Sequence, residues 1–84
     1  MAERTVVVAS AQGLHARPAK IFTQAAAGKG ATIAKDGGTP IDAASILRVM
    51  ALGVKNGESV TITADDEAVV AELAQLLETD LDAE

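Results

Sequence analysis

The chain has 84 residues with a net charge of −5, from 7 Lys and Arg against 12 Asp and Glu, and it contains one His, one aromatic (Phe22) and no Cys. That length predicts one domain over 1–84 with a small aliphatic core, and a 49% hydrophobic content argues against disorder. The composition excludes disulfides, thiol catalysis and Cys- or His-rich metal sites, speaks against nucleic acid, whose affinity rests on cations meeting phosphates, and offers no run near the roughly 20 apolar residues of a membrane span.

The chain opens Met1-Ala2-Glu3-Arg4, which lacks a signal-peptide pattern. The expectation is a cytoplasmic, monomeric protein without membrane insertion. Residues 5–9 contain Val6, Val7 and Val8, a β-branched run that predicts a buried strand. Ser10, Ala11, Gln12 and Gly13 read as a loop. A helix is predicted from Ala16, with Pro18, Ile21, Phe22 and Ala25 forming one apolar stripe at i, i+3, i+4, i+7. Pro18 suits a first turn, where its missing N–H removes nothing, and Gly28 and Gly30 stop the helix.

Residues 31–36 predict a second strand, Gly37-Gly38 a hairpin turn and 39–42 the returning strand. Pro40 cannot donate to a ladder, so that strand belongs at a sheet edge. Ser45 is the predicted N-cap of a short helix over 46–52, closed by Gly53. Asn56-Gly57 is a turn. Residues 59–63 alternate Ser, Val, Thr, Ile, Thr, which predicts a strand with one wet and one buried face. Asp65, Asp66 and Glu67 supply a cap and negative charge for a last helix, whose stripe is Val69, Val70, Leu73, Leu76 and Leu77. The acidic tail at 80–84 is predicted to fray. The order β-α-β-β-α-β-α is a split βαβ arrangement with an added helix. Helices on one face of an antiparallel sheet give a two-layer α+β domain.

The residues with chemistry lie at 13–19: Gly13-Leu14-His15-Ala16-Arg17-Pro18-Ala19. The single His sits where a loop turns into a helix. The first N–H groups of a helix have no internal partners, and with the helix dipole they form a ready anion site. Arg17 adds a fixed charge and a fork of donors matched to phosphate oxygens, and Gly13 relieves crowding in the loop. A neutral imidazole is a nucleophile at physiological pH, and nearby positive charge favours that neutral form. Position alone leaves two readings open: a capping or surface histidine, which is the commoner role, or a nucleophile. No general base or metal set accompanies His15 to make a hydrolase, and Ser45 lacks the partners of a catalytic triad. In the short helix, Ile46, Leu47 and Met50 cannot all turn inward together with Val49 and Leu52.

The segment 13–19 resembles the active-site motif of the HPr family, the histidine-containing phosphocarriers of the phosphoenolpyruvate-dependent sugar phosphotransferase system. The resemblance extends over essentially the whole chain. Ser45-Ile46-Leu47-Arg48-Val49-Met50-Ala51-Leu52-Gly53 resembles the family's regulatory-serine segment, and Lys55-Asn56-Gly57-Glu58 its next turn. The resemblance implies an open-faced β-sandwich of four antiparallel strands with three helices on one face. It implies that His15 accepts a phosphoryl group on Nδ1 from phospho-enzyme I and passes it to enzyme IIA domains. Arg17 and the backbone N–H groups of Ala16 and Arg17 would stabilise the phosphate, and Ile46, Leu47 and Met50 would dock the partner proteins. Ser45 has two readings: a helix cap, or the target of a serine kinase as in some bacterial relatives. Arg48 departs from the small residue of low-GC Gram-positive relatives. No cofactor is implied. Two alternatives stay open: a regulatory protein-binding module, and a carrier in a nitrogen-related or dihydroxyacetone-related relay.

Overall fold

The computed structural model describes residues 2–9, 13, 16–35 and 37–79. Among these the chain forms four strands and three helices: β1 (Ala2–Val7), α1 (Ala16–Ala26), β2 (Thr32–Lys35), β3 (Ile41–Asp42), α2 (Ile46–Ala51), β4 (Ser59–Ala64) and α3 (Glu67–Glu78). The order is the predicted one.

The alternation of β4 organises the sheet. Val60, Ile62 and Ala64 are buried while Ser59, Thr61 and Thr63 are partly exposed, because successive strand residues point to opposite faces. β4 pairs antiparallel with β1, Val6 opposite Val60, and with β2, Ile33 opposite Ile62. β3 pairs antiparallel with the far side of β2, so the strand order is β1-β4-β2-β3. This register collects Val6, Val60, Ile62 and Ile33 on one face. Thr5 and Thr61 fall on the other, their hydroxyls 2.9 Å apart. The helices cover the apolar face: Phe22 of α1, Val49 of α2, and Val70, Leu73 and Leu77 of α3 share one buried cluster with those strand residues. The result is a two-layer α+β fold, an open-faced sandwich of a four-stranded antiparallel sheet and three helices. Phe22 is fully buried among aliphatic side chains. Truncation of such a residue costs about 3–5 kcal/mol, a large share of what a small domain has. The buried hydroxyl of Thr23 donates to the Lys20 carbonyl at 3.2 Å, so burial leaves it satisfied.

Several boundaries and faces differ from the sequence expectation. β1 begins and ends earlier than 5–9, because the β4 ladder spans Ala2 opposite Ala64 to Val7 opposite Ser59 and no further. The valine run is not buried throughout: Val6 and Val8 face the core, whereas Val7 is 53% exposed on the opposite face. In α1 the deep side is Pro18, Ala19, Phe22, Thr23 and Ala26, with Ile21 and Ala25 only half-buried. The buried face is therefore turned relative to the predicted stripe, toward Ala19, Thr23 and Ala26. β2 is shorter than 31–36, and Asp36 lies outside the described residues. β3 contains only Ile41 and Asp42, with Pro40 before it rather than inside it, and it occupies the predicted edge. In α3, Ala74 is fully buried where Leu76 was expected, and Leu76 packs on the core margin. The acidic tail 80–84 lies outside the described residues.

The caps divide in the same way. Asp66 caps α3, its carboxylate accepting from the Ala68 N–H at 2.9 Å. Ser45 stands at the N-cap position of α2 with extended backbone, but its hydroxyl makes no cap hydrogen bond. α2 ends at Ala51 rather than Leu52, which is the C-cap, and Gly53 follows with φ +66°.

Candidate functional site

The site is built at the start of α1. Ala16 and Arg17 are its first two residues, where a helix has no internal acceptors for its N–H groups. No acidic residue stands in that first turn, and Arg17 is exposed there. The turn therefore combines a helix N-terminus with a guanidinium, both suited to an anion. Pro18 and Ala19 are buried immediately behind Arg17 and anchor the turn to the core. His15, with Leu14 and residues 10–12, lies outside the described residues. It is the residue directly before α1.

The flanks of that segment are held from elsewhere. On its upstream side the Val8 N–H donates to the Glu58 carbonyl at 2.9 Å, and the Gly57 N–H returns a bond to the Val8 carbonyl at 3.0 Å. The Ala9 N–H donates to the Leu77 carbonyl at 2.9 Å, using an acceptor that the last turn of α3 cannot satisfy internally. The Ala9 carbonyl accepts from Asn56 Nδ2 at 3.1 Å. Gly13 is buried with φ +71°, and a Cβ there would collide with the Val54 carbonyl and lie 2.6 Å from the Lys55 Cα. Glycine is required at 13 by both its backbone angle and this close approach.

The turn that supplies these contacts is itself braced. Glu58 Oε1 accepts from the Lys55 N–H at 2.8 Å, and Oε2 pairs with Lys35 Nζ at 3.1 Å. The Lys55 backbone bond, then Lys35, hold the Glu58 carboxyl below its ordinary value of 4.5, against a smaller opposing effect of desolvation.

α2 packs beside α1 and presents the second set of predicted residues. Leu47 is 79% exposed and Ile46 38%, whereas Val49 is fully buried. Met50 and Leu52 are partly buried against the core. Of the three residues predicted to dock partners, Ile46 and Leu47 form the exposed apolar surface and Met50 forms its margin. Leu52 is likewise partly buried and packs against the core. Ser45 is half-exposed at the head of the same helix.

Sequence reasoning passed over Asn56 and Glu58. Asn56-Gly57 read only as a turn, because the acceptor of the Asn56 amide lies 47 positions away. The unabsorbed polar pair in Lys55-Asn56-Gly57-Glu58 was the available sign.

No helix among the described residues is long and apolar enough to cross a membrane. A family model described as the PTS HPr component phosphorylation site matches residues 2–79. A phosphocarrier protein HPr of Streptomyces coelicolor is 50% identical over 78 residues, covering 90% of this chain and 84% of the relative. One from Haloferax volcanii is 41% identical over 83 residues, covering 92% and 93%. Among solved structures, HPr from Thermoanaerobacter tengcongensis superposes with a TM-score of 0.88 at 35% identity, covering 100% of this chain and 99% of that one. HPr from Bacillus anthracis superposes at 0.80 with 33% identity, covering 90% and 95%. With the two-layer fold, the anion-suited start of α1 and these likenesses over nearly its whole length, the chain belongs to the HPr family of phosphocarrier proteins.

Proposed function

We propose that the chain carries a phosphoryl group on His15, taking it from phospho-enzyme I and giving it to enzyme IIA domains. The observation that carries this reading is the start of α1 at Ala16, directly after the chain's single His, with Arg17 exposed in a first turn free of acidic residues. The neutral imidazole nitrogen, Nδ1 by family likeness, attacks phosphorus. The P–N bond forms as the bond to the donor breaks, and the same exchange runs outward when an acceptor takes the group. The phosphate's negative charge then faces the Ala16 and Arg17 N–H groups and the guanidinium.

Ile46, Leu47 and Met50 are the docking surface in this reading. A patch of flexible apolar side chains beside α1 suits successive binding of different partners. The Ser45 hydroxyl, half-exposed and without a cap bond, is the position a regulatory kinase would address. A phosphate there would add charge one residue before the exposed Ile46 and Leu47. The carrier acts as a cytoplasmic monomer in this reading.

Incubation with phosphoenolpyruvate, magnesium and enzyme I tests the carrier role. Wild type is expected to gain an acid-labile, base-stable phosphate that His15→Ala lacks. Equal labelling of the two proteins, or none of wild type, refutes it. Arg17→Ala is expected to slow transfer with the fold intact by circular dichroism.

A further inference from the structure

The turn between α2 and β4 reaches both flanks of the histidine-bearing segment. Asn56 Nδ2 holds the Ala9 carbonyl at 3.1 Å, and Gly57 and Glu58 exchange backbone bonds with Val8. Downstream, Gly13 rests on the Val54 and Lys55 backbone so closely that no side chain fits. Glu58 braces the turn from within, through the Lys55 N–H at 2.8 Å and Lys35 at 3.1 Å. Residues 54–58 before β4 thus meet Val8 and Ala9 after β1, Gly13 before α1 and Lys35 at the end of β2, so the arrangement is not a by-product of one hairpin. The backbone pairing with Val8 would join the turn to β1 without any side chain. The Asn56 amide adds a side-chain bond to that set, and it falls on Ala9, six residues before His15.

We propose that Asn56 is a positioning residue for His15. By holding Ala9 it fixes where the segment leaves β1, while Gly13 fixes where it passes over the turn, and Glu58 keeps that turn in shape. The inference rests on the phosphoryl-carrier reading. Reactive groups on loops depend on such supports, because small displacements from the productive geometry lower the rate steeply.

The test is steady-state transfer from phosphoenolpyruvate through enzyme I with the full chain as varied substrate, resolving kcat from KM. Asn56→Asp removes the donor and turns a carboxylate toward the Ala9 carbonyl; kcat is expected to fall about tenfold, the scale of one lost orienting hydrogen bond. KM should stay within about twofold, since the α2 surface is untouched. Asn56→Ala, which only deletes the amide, takes its place if the Asp variant does not fold by circular dichroism. Glu58→Ala is expected to lower kcat by about threefold, a weaker effect through the turn. If wild type labels on His15 and the Asn56 variants keep its kcat, the positioning role is overturned while the carrier reading stands. A loss confined to KM also overturns it and makes Asn56 a docking residue. If wild type takes no phosphate, both readings fall together.

Discussion

α2 and α3 cover the same face of the same sheet but are secured differently. α3 has 12 residues, a side-chain cap from Asp66 and five buried residues, Val69, Val70, Leu73, Ala74 and Leu77. α2 has six residues, an N-cap serine without a cap bond and one buried residue, Val49. A helix of six residues has little stability of its own and depends on tertiary contact. Here that contact comes mainly from Val49 with the margins of Met50 and Leu52, which leaves Leu47 and Ile46 outward. The comparison teaches that apolar content does not measure how much a helix contributes to the core. In α3 the stripe faces inward, whereas in α2 Leu47 is 79% exposed and Ile46 partly so, which leaves an apolar surface outside the core.

Substitutions in the two helices sharpen that contrast. The largest expected effect is Leu73→Ala: removal of a fully buried leucine from α3 should cost about 2–5 kcal/mol in urea unfolding. A cost under about 1 kcal/mol would contradict the central packing assigned to α3. Asp66→Ala should cost about 1 kcal/mol through loss of the Ala68 cap, while Ser45→Ala should stay within about 0.5 kcal/mol because no cap bond is lost. Equal losses at the two caps would show that Ser45 contributes more than its geometry indicates.

A smaller effect is expected from pH. The Glu58 carboxyl is held below 4.5 by the Lys55 N–H and Lys35, so the folded state prefers its charged form. This contribution is fully present above the unfolded value and is lost as pH falls through the lowered folded value. Unfolding curves collected downward from pH 5 should therefore decline less steeply in Glu58→Gln than in wild type, and parallel curves would exclude the linkage. The smallest stability change is expected at Leu47→Ala, within about 0.5 kcal/mol. The same variant should raise the KM for transfer about fivefold or more if Leu47 is a docking anchor. A variant that loses stability but keeps KM would move Leu47 from the docking surface to the core.

Much of this was readable in the residues because it depends on local rules. The period of two in 59–63 predicts β4 and its faces, Gly28, Gly37, Gly53 and Gly57 mark turns where the backbone takes positive φ, and Asp66 caps the helix it precedes. Pro40 located an edge strand through its missing donor, though β3 starts after it. The candidate site could be named from the sequence for the same reason: a His and an Arg flanking a helix start are neighbours in the chain. Ile46, Leu47 and Met50 could be named as a group but not separated, since six residues of helix admit more than one rotation about Val49.

Sequence alone determined the order of elements, the two-layer class, the start of α1 beside His15 and the Arg17 placement, all of which follow from periodicity, capping and turn chemistry within a few residues. Tertiary structure alone decided that Val7 faces outward, that α1 buries Ala19 and Ala26, that Leu47 rather than Met50 stands exposed, and that Asn56 reaches Ala9. Each of these depends on the β4 ladder and on helix–sheet contact, which join positions far apart in the chain. Local propensity carries no information about which distant backbone group will be waiting.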